Sequence, residues 1–201
     1  MRQLTSILLG LCISAGAFTA CNKNSGDDTD EKIDFGCFLL FDQNGQAVGT
    51  YDACNSDKDW QKLTLSSEEK AYLNFPENIS ITHNETINIT DVAVFPNPVP
   101  VNGFFSVFLH SAETVNADVK VKFALVSETK EVLGKQALQL QFNGKSSNFL
   151  VGLSAFQIPS RQPLRLFYQV FGAQNQLLFE SYGDLLFCGE STVDDIELDC
   201  F

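Results

Sequence analysis

Val119-Lys120-Val121-Lys122-Phe123-Ala124-Leu125 places its apolar residues on one side and its lysines on the other. Leu138-Gln139-Leu140-Gln141-Phe142 alternates as cleanly. A strand sends successive side chains to opposite faces, so strict period two reads as two strands, each with one face turned to a core. Working outward, Phe104 to His110 follows Gly103, Val92 to Phe95 precedes it, and Phe149, Val151 and Leu153 continue the alternation. Leu164 to Phe171 and Leu177 to Tyr182 are separated by Gly172-Ala173-Gln174-Asn175, a hairpin signal. Together these make seven strand-like runs, the number an immunoglobulin-like antiparallel β-sandwich needs, and they place that domain over residues 91–187. Twelve of the 18 phenylalanines lie between Phe95 and Phe187. At alternating positions nearly all of them are expected to fill the space between two sheets, and none is assigned to a ligand pocket.

Residues 33–90 differ in character. Cys37 to Phe41 and Ala47 to Tyr51 flank Asn44-Gly45, a hairpin signal. Ser66-Ser67-Glu68-Glu69 opens a short helix of about two turns, since a serine hydroxyl caps free amides and acids favour the positive end of the helix dipole. Pro76 marks its end, and Ile79 to Thr82 reads as a further strand. The expected fold is thus mainly β, a sandwich with a small N-terminal hairpin-plus-short-helix region.

The N-terminus carries an address. Met1-Arg2-Gln3 precedes an apolar stretch from Leu4 to Ala17, then Phe18-Thr19-Ala20 and Cys21. This is the layout of a signal peptide over residues 1–20. The stretch is shorter than the roughly 20 apolar residues a spanning helix requires, and no later segment reaches that length, so no transmembrane helix is expected after cleavage. Phe18-Thr19-Ala20-Cys21 resembles the lipobox of bacterial lipoproteins, with Phe18 where that family has leucine. The resemblance implies diacylglycerol on the Cys21 sulfur and an acyl chain on its amine, enough for stable attachment to a membrane. Residues 21–32 include Asn22 to Glu31, polar and acidic, and read as a flexible tether. The run also resembles the acidic segment that directs Bacteroidetes-type lipoproteins to the outer face of the outer membrane, and a plain solvated spacer reads it equally well. Asn22 after the cysteine favours the outer membrane, on either its periplasmic or its surface side.

Removing the first 20 of 201 residues leaves 181 and takes the net charge from −12 to about −13. So acidic a chain repels nucleic acid and anionic lipid headgroups. With Cys12 lost and Cys21 lipidated, Cys37, Cys54, Cys188 and Cys200 remain for two disulfides of roughly 2–4 kcal/mol each. Three pairings are possible. Cys37 with Cys54 and Cys188 with Cys200 are favoured, because the Asn44-Gly45 turn folds the first pair back to nearly opposite places. A zinc site lacks any Cys-x-x-Cys pair.

Val94-Phe95-Pro96-Asn97-Pro98-Val99, with Gly103 after it, resembles the start of the C-terminal sorting domain of type IX secretion cargo, itself a small sandwich. Phe95, Pro96, Asn97, Pro98 and Gly103 carry the resemblance. The closing Gly-x-Tyr and terminal lysine elements are missing, and residues 188–201 form an acidic, cysteine-bearing tail instead. The two prolines suit an edge strand handing the chain to the next sheet.

The chemistry on offer is sparse. His83 and His110 are the two histidines, and neither belongs to a recognisable nucleophile–base motif. No phosphate-binding glycine loop or His-Glu-x-x-His occurs, so no cofactor or metal is expected and no enzyme is indicated. Asp42-Gln43-Asn44-Gly45 reads as a hairpin turn in preference to a calcium loop. Glu190, Asp194, Asp195, Glu197 and Asp199 read as a solvated acidic face in preference to a calcium site, which requires a Cys188–Cys200 disulfide to fold that loop tightly. Sequons at Asn78, Asn84 and Asn88 read as chance in an Asn/Thr-rich stretch. The leading expectation is a non-enzymatic binding or structural module held at the envelope by its lipid. A glycan-binding accessory protein using Tyr51, Trp60 or Tyr182 is the first alternative, a type IX secretion-related surface protein another. A hydrolase requires a cleft that sets a histidine beside a serine and a carboxylate.

Overall fold

The computed structural model describes residues 32–35, 38–42, 44, 46–51, 60–82, 87–100, 103–156, 158 and 161–188. Alternation in the sequence becomes strand: β1 (Phe38–Phe41) and β2 (Ala47–Tyr51) form a hairpin, and β3 (Ile89–Phe95), β4 (Phe104–Ser127), β5 (Val132–Gly152), β6 (Gln162–Phe171) and β7 (Leu177–Phe187) form the main antiparallel sheet. The helix α1 (Ser67–Tyr72) carries the expected cap: Glu69 N–H donates to Ser66 Oγ while the Glu69 carboxylate accepts from Ser66 N–H. It ends at Leu73, short of Pro76. Residues 79–82 form no strand, and no ladder partner reaches them among the described residues.

Four of the expected seven runs merge into two strands. β4 spans 24 residues and β5 spans 21, paired from Phe104↔Gly152 to Val126↔Val132 with the register broken between His110 and Val115. The ribbon doubles over at that break. Val107 and Phe123 on β4 would stand about 50 Å apart on a straight strand. Yet the rings of Phe123 and of Phe149, the ladder partner of Val107, lie 5.7 Å apart. Gly144 pairs with Val115 where the register resumes and has φ of 128°, a conformation side-chain-bearing residues rarely adopt. Two layers result, an arrangement compatible with an immunoglobulin-like sandwich. One holds β3, the first half of β4 and the second half of β5; the other holds the remaining halves with β6 and β7. Phe105, Val107, Leu109, Val119, Val121, Phe123, Phe142 and Tyr168 fill the space between them.

The second layer is covered on its other side as well. Ala124, Val126 and Phe167 pack under Ile33, Leu65 and Leu73, with Tyr72 tilted against Phe167 at 5.2 Å. The lysine face read from the sequence is part of this cover. Lys120 is buried, with its ammonium 2.6 Å from both Glu77 Oε1 and Asn175 Oδ1, and Lys122 donates to the Phe75 carbonyl above whose ring it sits. The stems lie along apolar surface while the ammonium groups reach polar partners.

The proline-rich segment locks the N-terminal hairpin to the sandwich. Asn97 is fully buried between β1 and β7. Its Nδ2 donates to the Leu39 carbonyl at 2.8 Å and the Asp184 carbonyl at 3.0 Å, and its Oδ1 accepts from Leu186 N–H at 3.0 Å. Its backbone exchanges bonds with Phe41, and Val99 bridges to β7. The peptide bonds before Pro96 and Pro98 are both cis.

Candidate functional site

The outer face of the first layer differs from every other large face, because no described element covers it. Its side chains follow from the register. Phe95, Ser106 and Leu150 form one row across β3, β4 and β5; Ala93, Phe108 and Asn148 form the next; Asp91, His110 and Ser146 the third; Phe104 and Gly152 stand beyond the first. The inward residues between them, Phe105, Val107 and Leu109, are fully buried, which fixes this set as outward. Phe104 is 57% exposed and Leu150 60%, the largest exposures of big apolar side chains among the described residues. Phe95 and Phe108 stack with centroids 4.6 Å apart and planes 15° apart. The expectation that nearly all the phenylalanines from Phe95 to Phe187 fill the core is therefore corrected for Phe95, Phe104 and Phe108: alternation says which residues share a face, not which face is covered.

The third row places Asp91, His110 and Ser146 side by side. Neighbours across a strand pair have Cβ atoms about 4.5–5.5 Å apart. All three are exposed on a flat surface, no hydrogen bond joins the imidazole to either neighbour, and no wall excludes water. A nucleophile needs a hydrogen-bonded base, so this row has the residue types of a triad without its geometry.

The other sequence-derived candidates fall elsewhere. Trp60 is 5% exposed, lying over Gly183 and stacked at 6.2 Å on Tyr168, so it is a core residue and faces no ligand. The Trp60 backbone N–H donates to the Tyr182 carbonyl and the Leu63 backbone N–H to that of Glu180, so residues 60–63 line the edge of β7. Tyr182 is half-buried, with the Arg165 guanidinium 4.3 Å from its ring. Tyr51 ends β2, and its side chain lies outside the described residues, as do Cys21, Cys37, Cys54, Cys200, His83 and the acidic residues of the tail. Cys188 is buried and disulfide-bonded. Asp42 closes its hairpin by accepting from Asn44 and Gln46 N–H groups, and these bonds, Gln46 first, hold its carboxyl below the usual range. Among the described residues no group of His, Cys, Asp or Glu is arranged to hold a metal, and no helix is long and apolar enough to cross a membrane.

Two further sets of ionic contacts, beyond Lys120–Glu77, escaped the sequence reading. Arg165 donates to both Asp184 oxygens, at 2.6 and 2.7 Å, across the β6–β7 ladder, and to the Asp34 carbonyl at 2.9 Å. Burial pushes the Asp184 carboxyl up from its ordinary value, and the Arg165 contact offsets part of that rise. Glu180 accepts from Leu65 N–H and Gln169 and meets Lys70 at 3.0 Å, which ties the approach to α1 onto β7. No local signal announces either set, since their members are distant in the chain.

No family model matches this chain, and no curated protein matches it. Among solved structures it is similar over 51% of its length to a glycosyl hydrolase family 2 member from Bacteroides cellulosilyticus, with TM-score 0.32, 12% identity and 14% of that chain covered. Half of it is similar to the β-glucosidase D2-BGL from Chaetomella raphigera, with TM-score 0.27, 12% identity and 18% of that chain covered. The chain thus spans less than a fifth of either protein, and a likeness at this level carries no argument about activity.

Proposed function

We propose that this protein is a lipid-anchored envelope lipoprotein whose sandwich acts as a non-enzymatic binding module, with the outer face of β3, β4 and β5 as its binding surface. The apolar outer face carries the reading: among the described residues the second layer is enclosed on both sides, while on the first Phe104 and Leu150 are exposed beside the half-buried pair Phe95 and Phe108. Contiguous exposed apolar surface on a folded chain marks an interaction site. Attachment at Cys21 is supported by the Phe18-Thr19-Ala20-Cys21 sequence, and the polar residues after it supply reach from the membrane.

A glycan is the ligand class that suits the composition of the face. Aromatic rings stand beside the uncharged polar groups of Ser106, Asn148 and Ser146, matching the apolar CH face and hydroxyl edge of a pyranose. The test is affinity electrophoresis of the chain lacking residues 1–20 through gels containing soluble β-glucan, xylan or mannan. Retardation by one of them, abolished in Phe104→Ser/Leu150→Ser, is the expected result. Retardation that survives the double substitution refutes this face as the site, and no retardation by any of them refutes the glycan class. In cells, Cys21→Ser is expected to abolish labelling by a fatty-acid analogue; persistent labelling defeats the anchor.

A further inference from the structure

Among the described residues the long edge of β5 has no partner. β4 lies along one side of the strand, and among the described residues no strand lies along the other and no backbone bond to β5 is made there. About half of its backbone donors and acceptors therefore point outward, a template for another strand. The remaining edges of the sandwich are closed or blunted. Trp60, Leu63 and Val99 bond along β7. β3 has only seven residues, carries Asp91 and runs into Pro96 and Pro98. On β5, by contrast, Gln136-Ala137-Leu138-Gln139-Leu140-Gln141-Phe142-Asn143 contains neither charge nor proline, the two usual devices against edge pairing.

Two further features say what fits there. From Val132 to Gly152 there is no acid, only Lys135 and Lys145, in a chain of net charge −12. A hollow of about 590 Å³ opens beside the edge, formed by Phe75, Pro76, Glu77, Asn78 and Ile79 against Lys135, Gln136 and Ala137, and its one acid, Glu77, is already paired with Lys120. We infer that β5 accepts an extended, acid-bearing polypeptide strand by β-augmentation, with an apolar side chain of that strand seated against Phe75, Pro76 and Ile79. The ladder supplies affinity, the hollow supplies selectivity for alternate side chains, and the lysines supply the sign of the partner's charge. A second copy of this chain fits worse: two-fold pairing centred on Leu140 sets Lys135 against Lys145, between bodies that repel through their net charge.

The test uses the full chain after residue 20 and a fluorescent nine-residue peptide alternating valine with glutamate and threonine, followed by anisotropy. The acidic peptide is expected to bind at least tenfold more tightly than the same peptide with lysine for glutamate. Lys135→Glu/Lys145→Glu is expected to reverse that preference while leaving the unfolding midpoint unchanged, because both lysines are exposed. Hydrogen exchange is expected to slow on β5 between residues 136 and 143 when peptide is bound. Equal affinity for the two peptides, protection elsewhere than β5, or a dimer formed through β5 without peptide in sedimentation each overturns the inference. Phe104→Ser/Leu150→Ser is expected to leave peptide binding intact, so this edge and the outer face fail or stand separately.

Discussion

Replacing Asn97 by alanine should cost far more than an ordinary surface change, although nothing in its composition as a residue says so. The substitution deletes three side-chain hydrogen bonds and leaves the Leu39 carbonyl, the Asp184 carbonyl and Leu186 N–H without them at a fully buried position. Each buried backbone group left unpaired costs about 1–3 kcal/mol. The Leu39 carbonyl belongs to a half-buried residue, where water replaces part of the loss, so the sum comes to about 4 kcal/mol. Whole domains are stable by about 5–15 kcal/mol. With a urea slope of about 2 kcal/mol/M, the midpoint should fall by about 2 M. The single tryptophan, Trp60, is buried and reports the transition by its fluorescence. Asn97→Asp keeps an acceptor for Leu186 N–H but loses both donations and buries a carboxylate. Burial raises the carboxyl's folded-state pKa above its unfolded value near 4, so the charge-dependent part of the penalty is absent below that pH and adds to the lost donations as pH rises. A loss under about 1 kcal/mol for Asn97→Ala would refute the assignment of Asn97 as the clamp between β1 and β7.

Gly183→Ala would place a Cβ 2.1 Å from the Trp60 indole, so the ring must leave its seat; a red-shifted emission and a loss of about 1–3 kcal/mol are expected, and unchanged emission would show that Trp60 does not lie there. Arg165→Met removes the group that restrains the Asp184 carboxyl. Asp184, already raised by burial, then titrates higher still, so the deficit relative to wild type is smallest in acid and grows as pH climbs above the raised value that Asp184 has beside Arg165. Urea midpoints from pH 4 to 8 should show the gap to wild type widening to about 3 kcal/mol, and a constant gap would contradict the pairing.

The alternation of Val119 to Leu125 and Leu138 to Phe142, the Ser66 cap and the turn at residues 172–175 were all legible, because each depends on neighbours within a few positions. Ile79 to Thr82 has a strand's composition but no partner, and a strand without a ladder does not form. Phe104 to His110 and Val119 to Leu125 read as separate runs, yet β4 continues through Ala112 to Thr114 between them and only its register breaks. Trp60 looked like a ring free for a ligand because the glycine that receives it, Gly183, lies more than a hundred residues away.

Period-two patterning alone determined a mainly β chain with its apolar residues sorted onto one side of each strand, since that sorting is a property of the extended backbone. Only the tertiary structure decided which sides are closed. The ribbon of β4 and β5 folds on itself, the N-terminal residues cover the second layer, and residues 60–63 cover the edge of β7. The first layer's outer face and the edge of β5 are what this packing leaves over. No local pattern encodes them, because exposure is set by where distant segments come to rest.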